Sequence, residues 1–220
     1  SDGEWRGKLK PTDADAWKRD YETFLLHYAS LASESGAWGL SVGSELSSME
    51  AETRFWMSLI AKVRTTFNGK LIYSANWDHY QHPEFWAELD FIGVSSYFEV
   101  AKSKKEALHT VSRRWKDHRV ELLKFAEATG RPLVLTEVGY PAVESAAVKP
   151  WDYTTGSPAS SIAKIAGFAA LVDAWSEPNP NFAGLFIWHA WGFGGDDDTS
   201  YAVREKPTEE LLKSWFRKEP

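Results

Sequence analysis

Five short apolar runs, each set apart from the next by a long stretch, constrain this fold more than any other feature. They are GLSVGSE at 39–45, LIYSA at 71–75, FIGVSSY at 91–97, PLVLTEV at 132–138 and AGLFIWHAW at 183–191. The runs start near residues 39, 71, 91, 132 and 184, so the gaps run from 20 to 52 residues. Gaps of that length hold a helical crossover and are too long for hairpin turns. Strands apolar on both faces and separated by helices are parallel, covered by helices and linked by right-handed crossovers. The fold class is therefore α/β with five parallel strands. No Pro/Ser-rich linker splits the chain, so 1–220 is read as one domain.

The intervening stretches carry helical spacing. Trp17, Tyr21, Phe24, Leu25 and Tyr28 recur at intervals of three and four within 12–35, and Gly36 ends that run. Ser47 and Glu50 have the spacing of a capping box. They are expected to open a helix with Phe55, Trp56, Leu59, Ile60 and Val63 on one side. Further helices are expected over 83–89, 103–129, 159–176 and 207–217. In the fourth, Ile162, Ile165, Ala166, Phe168, Ala169 and Val172 are expected to face inward. Residues 1–11 read as a loop, and 192–206 as a loop rich in Gly and Asp.

Composition removes several classes of function. The 220 residues carry a net charge of −6, which suits no phosphate-binding surface and so no nucleic-acid partner. No run approaches about 18 apolar residues, so no transmembrane helix is expected. Cysteine is absent, which excludes disulfides, thiolate metal sites and cysteine nucleophiles. The six histidines form no metal-binding spacing, and Asp196-Asp197-Asp198 reads as an acidic solvated loop rather than a calcium loop. No cofactor is expected. The start of the chain lacks the basic-then-apolar form of a secretory leader, leaving the compartment open between secreted and cytoplasmic. The 12 Trp, 8 Tyr and 12 Phe are conspicuous. Core packing accounts for many of them. Those at strand ends and in the following loops also suit flat, weakly polar ligands such as sugar rings.

Carboxylates close two of the apolar runs. Glu45 ends the first and Glu137 the fourth. A carboxylate after four or five apolar residues is costly to bury without a partner. The C-terminal strand ends of a parallel barrel open on one face, where active sites form. Two carboxyl groups facing each other there can cleave a glycosidic bond, one as proton donor, the other attacking the sugar or activating water. Other strand ends supply a sugar cleft: Asn76 and Tyr97 as hydrogen-bonding groups, and Trp77, Trp188 and Trp191 as stacking faces.

Glu45, Glu137 and Trp188 in this order resemble the retaining (β/α)8 glycoside hydrolases of clan A. The segments GSELS, YSANW, GVSSYF, LTEVGYP and the tail Lys206-Pro207-Thr208-Glu209-Glu210 most resemble glycoside hydrolase family 113, the β-mannanases. They are also similar to the related barrel of gene-transfer-agent tail proteins. The resemblance implies Glu45 as general acid/base and Glu137 as nucleophile. It implies that Tyr97 hydrogen-bonds the nucleophile and Trp188 floors a sugar subsite. Asn76 and Trp77 would line the cleft. The implied reaction is retaining hydrolysis of β-mannan or a related β-linked glycan.

Two departures from that pattern stand in the sequence. Ser44 occupies the position before the acid/base where many clan members carry Asn. Only 38 residues precede the first apolar run, and three βα units of about 30 residues each do not fit there. The chain thus supplies strands equivalent to barrel strands 4–8, a partial TIM barrel, without the clan residues of the early strands. Either it is a piece of a longer product, or it closes by self-association as a dimer or trimer through its open edges. Association is the expectation. The rival functions are a non-catalytic glycan-binding module and a structural, phage-tail-like barrel remnant.

Overall fold

The computed structural model describes residues 4–152, 154, 156–195 and 197–217. Helices and strands alternate: α1 (Ala14–Glu34), β1 (Gly39–Ser44), α2 (Thr53–Thr66), β2 (Lys70–Asn76), β3 (Phe91–Ser95), α3 (Leu108–Thr129), β4 (Leu133–Val138), α4 (Ser161–Trp175), β5 (Phe182–Ile187) and α5 (Pro207–Phe216). The five strands have the order β1-β2-β3-β4-β5. β1 runs parallel to β2, and β2 to β3. This is the partial α/β barrel expected from the spacing of the apolar runs. Contacts divide the chain into two compact units, Ser1–Ser95 with Phe125–Val134 and Ser96–Lys124 with Leu135–Pro220.

In the first unit, α1 begins where the Asp13 carboxylate accepts the Ala16 N–H at 2.8 Å, satisfying one orphan donor of the first turn. It buries Leu25, Ala29 and Ala32. Tyr21 stacks on Trp17, ring centroids 4.9 Å apart, and meets Trp56 of α2 edge-on at 5.8 Å. α2 buries Trp56, Leu59, Ile60 and Val63, the side its spacing marked. It does not begin with the expected capping box. The N-cap is Glu52 and no side chain caps the helix. Ser47 instead opens a separate 3-10 turn, Ser47–Met49, and Glu50 points into the core at 1% exposure.

β1 carries a bulge between Ser41 and Gly43 in its pairing with β2. A bulge bends the strand and re-aims the residues after it. Gly43 is required at that point: a Cβ there would sit 2.8 Å from the Tyr73 ring and 3.1 Å from Trp56. At the opposite end of the strands, Asp90 ties β2 down. It accepts the Leu71 N–H at 2.8 Å and pairs with Arg64 at 2.5 Å and Lys70 at 3.1 Å.

The second unit is built around α4. Ser160 caps it by accepting the Ala163 N–H at 3.1 Å. Its buried face is Lys164, Gly167, Phe168, Ala170, Leu171, Ala174 and Trp175, whereas Ile162, expected inward, is exposed. The helix is apolar nearly all round, so its spacing did not mark which side turns in. Lys164 reaches into the Gly/Asp-rich segment and donates to the carbonyls of Ser200 (3.2 Å), Tyr201 (2.7 Å) and Ala202 (2.6 Å). Burial, and then repulsion from Lys206, push its ammonium down to about 7, against the attraction of Asp198. The Asp198 carboxylate accepts the N–H groups of Gly194 and Ser200, each at 2.9 Å. That segment is therefore a pinned loop rather than a merely solvated one; Asp196 lies outside the described residues.

Candidate active site

Glu45 follows β1 directly. Its own N–H donates to the Ser74 carbonyl at 2.8 Å, carrying the β1–β2 ladder one residue past the strand. Its φ is 52°, a left-handed conformation that a residue with a Cβ adopts at an energetic penalty and that clusters at functional positions. Glu45 is buried, 7% exposed. Oε2 accepts from the indole Nε1 of Trp5 at 3.1 Å and from the Arg6 guanidinium at 3.3 Å. Trp5 precedes a 3-10 turn at Arg6–Lys8 inside the segment read as a loop. These two contacts were invisible in sequence, because residues 1–11 have no periodicity and the partner lies 39 or 40 positions away.

Asn76 ends β2 and donates through Nδ2 to the Asp78 carboxylate at 2.6 Å. Trp77 follows in the turn, half-buried. These residues belong to the same unit as Glu45.

Glu137 lies near the end of β4, in the other unit. The strand ladder holds its backbone: the Ser96 N–H donates to the Glu137 carbonyl at 2.6 Å, and the Trp188 N–H to the Val138 carbonyl at 2.9 Å. Gly139 follows because a Cβ there would stand 2.1 Å from the Trp188 carbonyl oxygen. Tyr97, two residues past β3, donates its hydroxyl to Glu137 Oε2 at 2.7 Å. This is the tyrosine–carboxylate pair that the sequence resemblance implied. A donor at that distance fixes the direction of the carboxyl group.

β5 ends at Ile187, earlier than the 183–191 run suggested, so Trp188 and Trp191 occupy the turn beyond it. Trp188 is joined to His189 by a cis peptide bond. The Trp188 and Trp191 rings lie 5.4 Å apart at 78°, and His189 stacks on Trp191 at 4.5 Å and 9°. Trp191 is 63% exposed. His189 thus covers one face of Trp191, and the rest of that indole is open to solvent. His189 was not singled out in sequence; only its place between two tryptophans marks it.

Among the described residues no group of three or more His, Asp or Glu is arranged to hold a metal ion. No helix among them is long and apolar enough to cross a membrane.

The sequence model described as Glycoside Hydrolase Family 113 matches residues 1–206. Among solved structures, the GH113 β-mannanase from Alicyclobacillus acidocaldarius, in complex with ManMIm, superposes with a TM-score of 0.86 at 27% identity, covering 98% of this chain and 69% of that one. A GH113 β-1,4-mannanase superposes at 0.85 with 19% identity, over 99% of this chain and 70% of that one. A β-glucuronidase from an uncultured Clostridium sp. gives 0.70 at 14% identity, over 96% of this chain and 38% of that one. The last two likenesses speak to the fold. No curated protein sequence matches at the same significance.

Proposed function

This chain belongs to glycoside hydrolase family 113, and from that premise we propose that it hydrolyses β-mannan or a related β-linked glycan with retention, through Glu45 and Glu137. Glu45 in its acid form gives its proton to the glycosidic oxygen as the bond to the anomeric carbon breaks. The Glu137 carboxylate attacks that carbon and forms a glycosyl ester. Glu45, now a carboxylate, takes a proton from water. The resulting oxygen nucleophile displaces Glu137 and releases the sugar with its original anomeric configuration.

The observation that carries this reading is the Tyr97 hydroxyl at 2.7 Å from Glu137 Oε2. It orients the carboxyl group proposed as nucleophile near the end of β4, and β5, next in the strand order, runs into exposed Trp188 and Trp191. Trp188 is read as the floor of a sugar subsite, with Trp191 beside it and Asn76 and Trp77 along the cleft. Trp5 and Arg6 hold the Glu45 carboxyl group through Oε2.

The mannan preference follows from the β-mannanases that this chain resembles. The test is turnover on mannan, glucomannan, cellulose, xylan and manno-oligosaccharides, with the anomer of the first product followed by proton NMR. Glu45→Gln and Glu137→Gln are each expected to lower kcat by about 10²–10⁴-fold or more. A retaining pair requires carboxyl groups about 5–5.5 Å apart in a crystal structure of the protein. First-formed product of inverted configuration would strike the double displacement. Glycan affinity without turnover would indicate a binding module, and neither affinity nor turnover a structural role.

We also propose that copies of this chain associate as a dimer or trimer through β1 and β5, the two ends of the strand order. Trp38, one residue before β1, is 72% exposed, and Phe186 on β5 is 65% exposed. Apolar edges of this kind are ordinarily covered.

A further inference from the structure

Glu45 stands in a left-handed turn, with φ 52°. Something must hold it there, because an L-residue in that region relaxes unless its surroundings over-determine it. One hold is the ladder bond from the Glu45 N–H to the Ser74 carbonyl. The other lies one residue on. The Leu46 N–H donates to the hydroxyl oxygen of Tyr73 at 3.0 Å. That hydroxyl in turn donates to Glu50 Oε1 at 3.0 Å. Tyr73 is wholly buried and Glu50 is 1% exposed. Tyr73 sits in the middle of β2, packed edge-on against Trp56 at 5.3 Å and Phe85 at 5.3 Å, so its hydroxyl has a fixed address.

We infer that Tyr73 and Glu50 are positioning residues for Glu45. The tyrosine hydroxyl pins the Leu46 amide, Glu50 orients the hydroxyl, and together they lock the turn that aims the Glu45 carboxyl group. The inference rests on Glu45 being the acid/base. A buried carboxyl group, charged or neutral, is an expensive way to fill a core. Here Glu50 uses one oxygen on Tyr73, while Oε2 has no hydrogen-bond partner and faces His79 Nδ1 at 3.6 Å. The expense is explained if the acceptor is needed at Oε1: a hydroxyl with its proton committed to Glu50 presents only lone pairs to the Leu46 N–H. Gly43 belongs to the same device, since any larger residue would push the Tyr73 ring out of place. Glu50, which the sequence pairs with Ser47 as a helix cap, thus serves the turn that carries Glu45.

The test is amide exchange in the full chain by NMR, with turnover measured alongside. Tyr73→Phe removes the hydroxyl alone. Its Leu46 amide is expected to exchange about tenfold faster or more, relative to the amides of Leu59 and Ile92 in the core. Its kcat is expected to fall with KM nearly unchanged. Glu50→Leu should have a smaller effect of the same kind, and Glu50→Gln, which keeps an oxygen for Tyr73, should restore Leu46 protection. Unchanged Leu46 exchange in Tyr73→Phe overturns the inference. So does a rise shared equally by Leu46, Leu59 and Ile92, which would be general loosening. Full turnover in Glu45→Gln would strike the acid/base assignment instead, and the exchange at Leu46 reads the anchoring contact independently of it.

Discussion

At the residue scale, the carboxyl groups of Glu45, Glu50 and Glu137 have different surroundings. Glu137 has a tyrosine hydroxyl, so Tyr97→Phe removes the donor that orients its carboxyl group; kcat/KM is expected to drop by roughly 10–100-fold with little change in Tm. Glu50 is pushed up to about 7, chiefly by burial and further by the Asp78 charge, against the opposing Tyr73 bond; His79 also faces it. The folded protein therefore holds a proton on Glu50 in a range where the unfolded chain, with an ordinary carboxyl near 4.5, has released it. The stability this group contributes is complete below about pH 4.5 and is lost as pH rises through about 7. Glu50→Gln is expected to flatten that slope in urea titrations and to stabilise the protein at pH 8 by up to about 3 kcal/mol. Glu45 and Glu137 were legible in sequence because an acid closing an apolar run is anomalous wherever it occurs. Glu50 was misread because Ser-x-x-Glu fits a helix cap and a buried pair equally well. Trp5 and Arg6 gave no signal, since their role depends on a partner that only the folded chain supplies.

At the element scale, every strand was legible and the helix details were not. Parallel strands buried on both faces read as apolar runs whatever their neighbours, so five were found and all five exist. Their ends were set by the ladder rather than by hydropathy, which is why Trp188 and Trp191 lie beyond β5. α1 shows a cap that does act: Asp13→Ala is expected to cost about 1 kcal/mol in chemical denaturation. α4 shows where pattern fails. A helix with apolar residues on almost every side has a weak phase, and its buried face includes one lysine beside Phe168, Leu171 and Trp175. Lys164 donates to three loop carbonyls, those of Ser200, Tyr201 and Ala202. Lys164→Met is expected to leave α4 folded but to speed limited proteolysis within 192–206 severalfold, since the hydrophobic side chain keeps the packing and drops the clamp. Unchanged cleavage would mean that Asp198 and Lys206 hold the loop alone.

At the scale of the whole molecule, the strand order ends in two edges, β1 and β5, with Trp38 and Phe186 in the open. Light scattering is expected to give a mass two or three times the 24.9 kDa of one chain, and Phe186→Lys to shift it toward one. A stable monomer at micromolar concentration would refute the association. Stability is also a property of the whole, and the left-handed backbone at Glu45 subtracts from it. Asparagine tolerates that conformation better than glutamate. Glu45→Asn is expected to raise Tm by about 2–4 °C while abolishing turnover. The consequence reaches beyond the bench assay. A heat-selected library of this protein would enrich its dead members at position 45, and a drift toward robustness in nature would take the same road. On the proposed acid/base role, keeping Glu45 trades durability for chemistry.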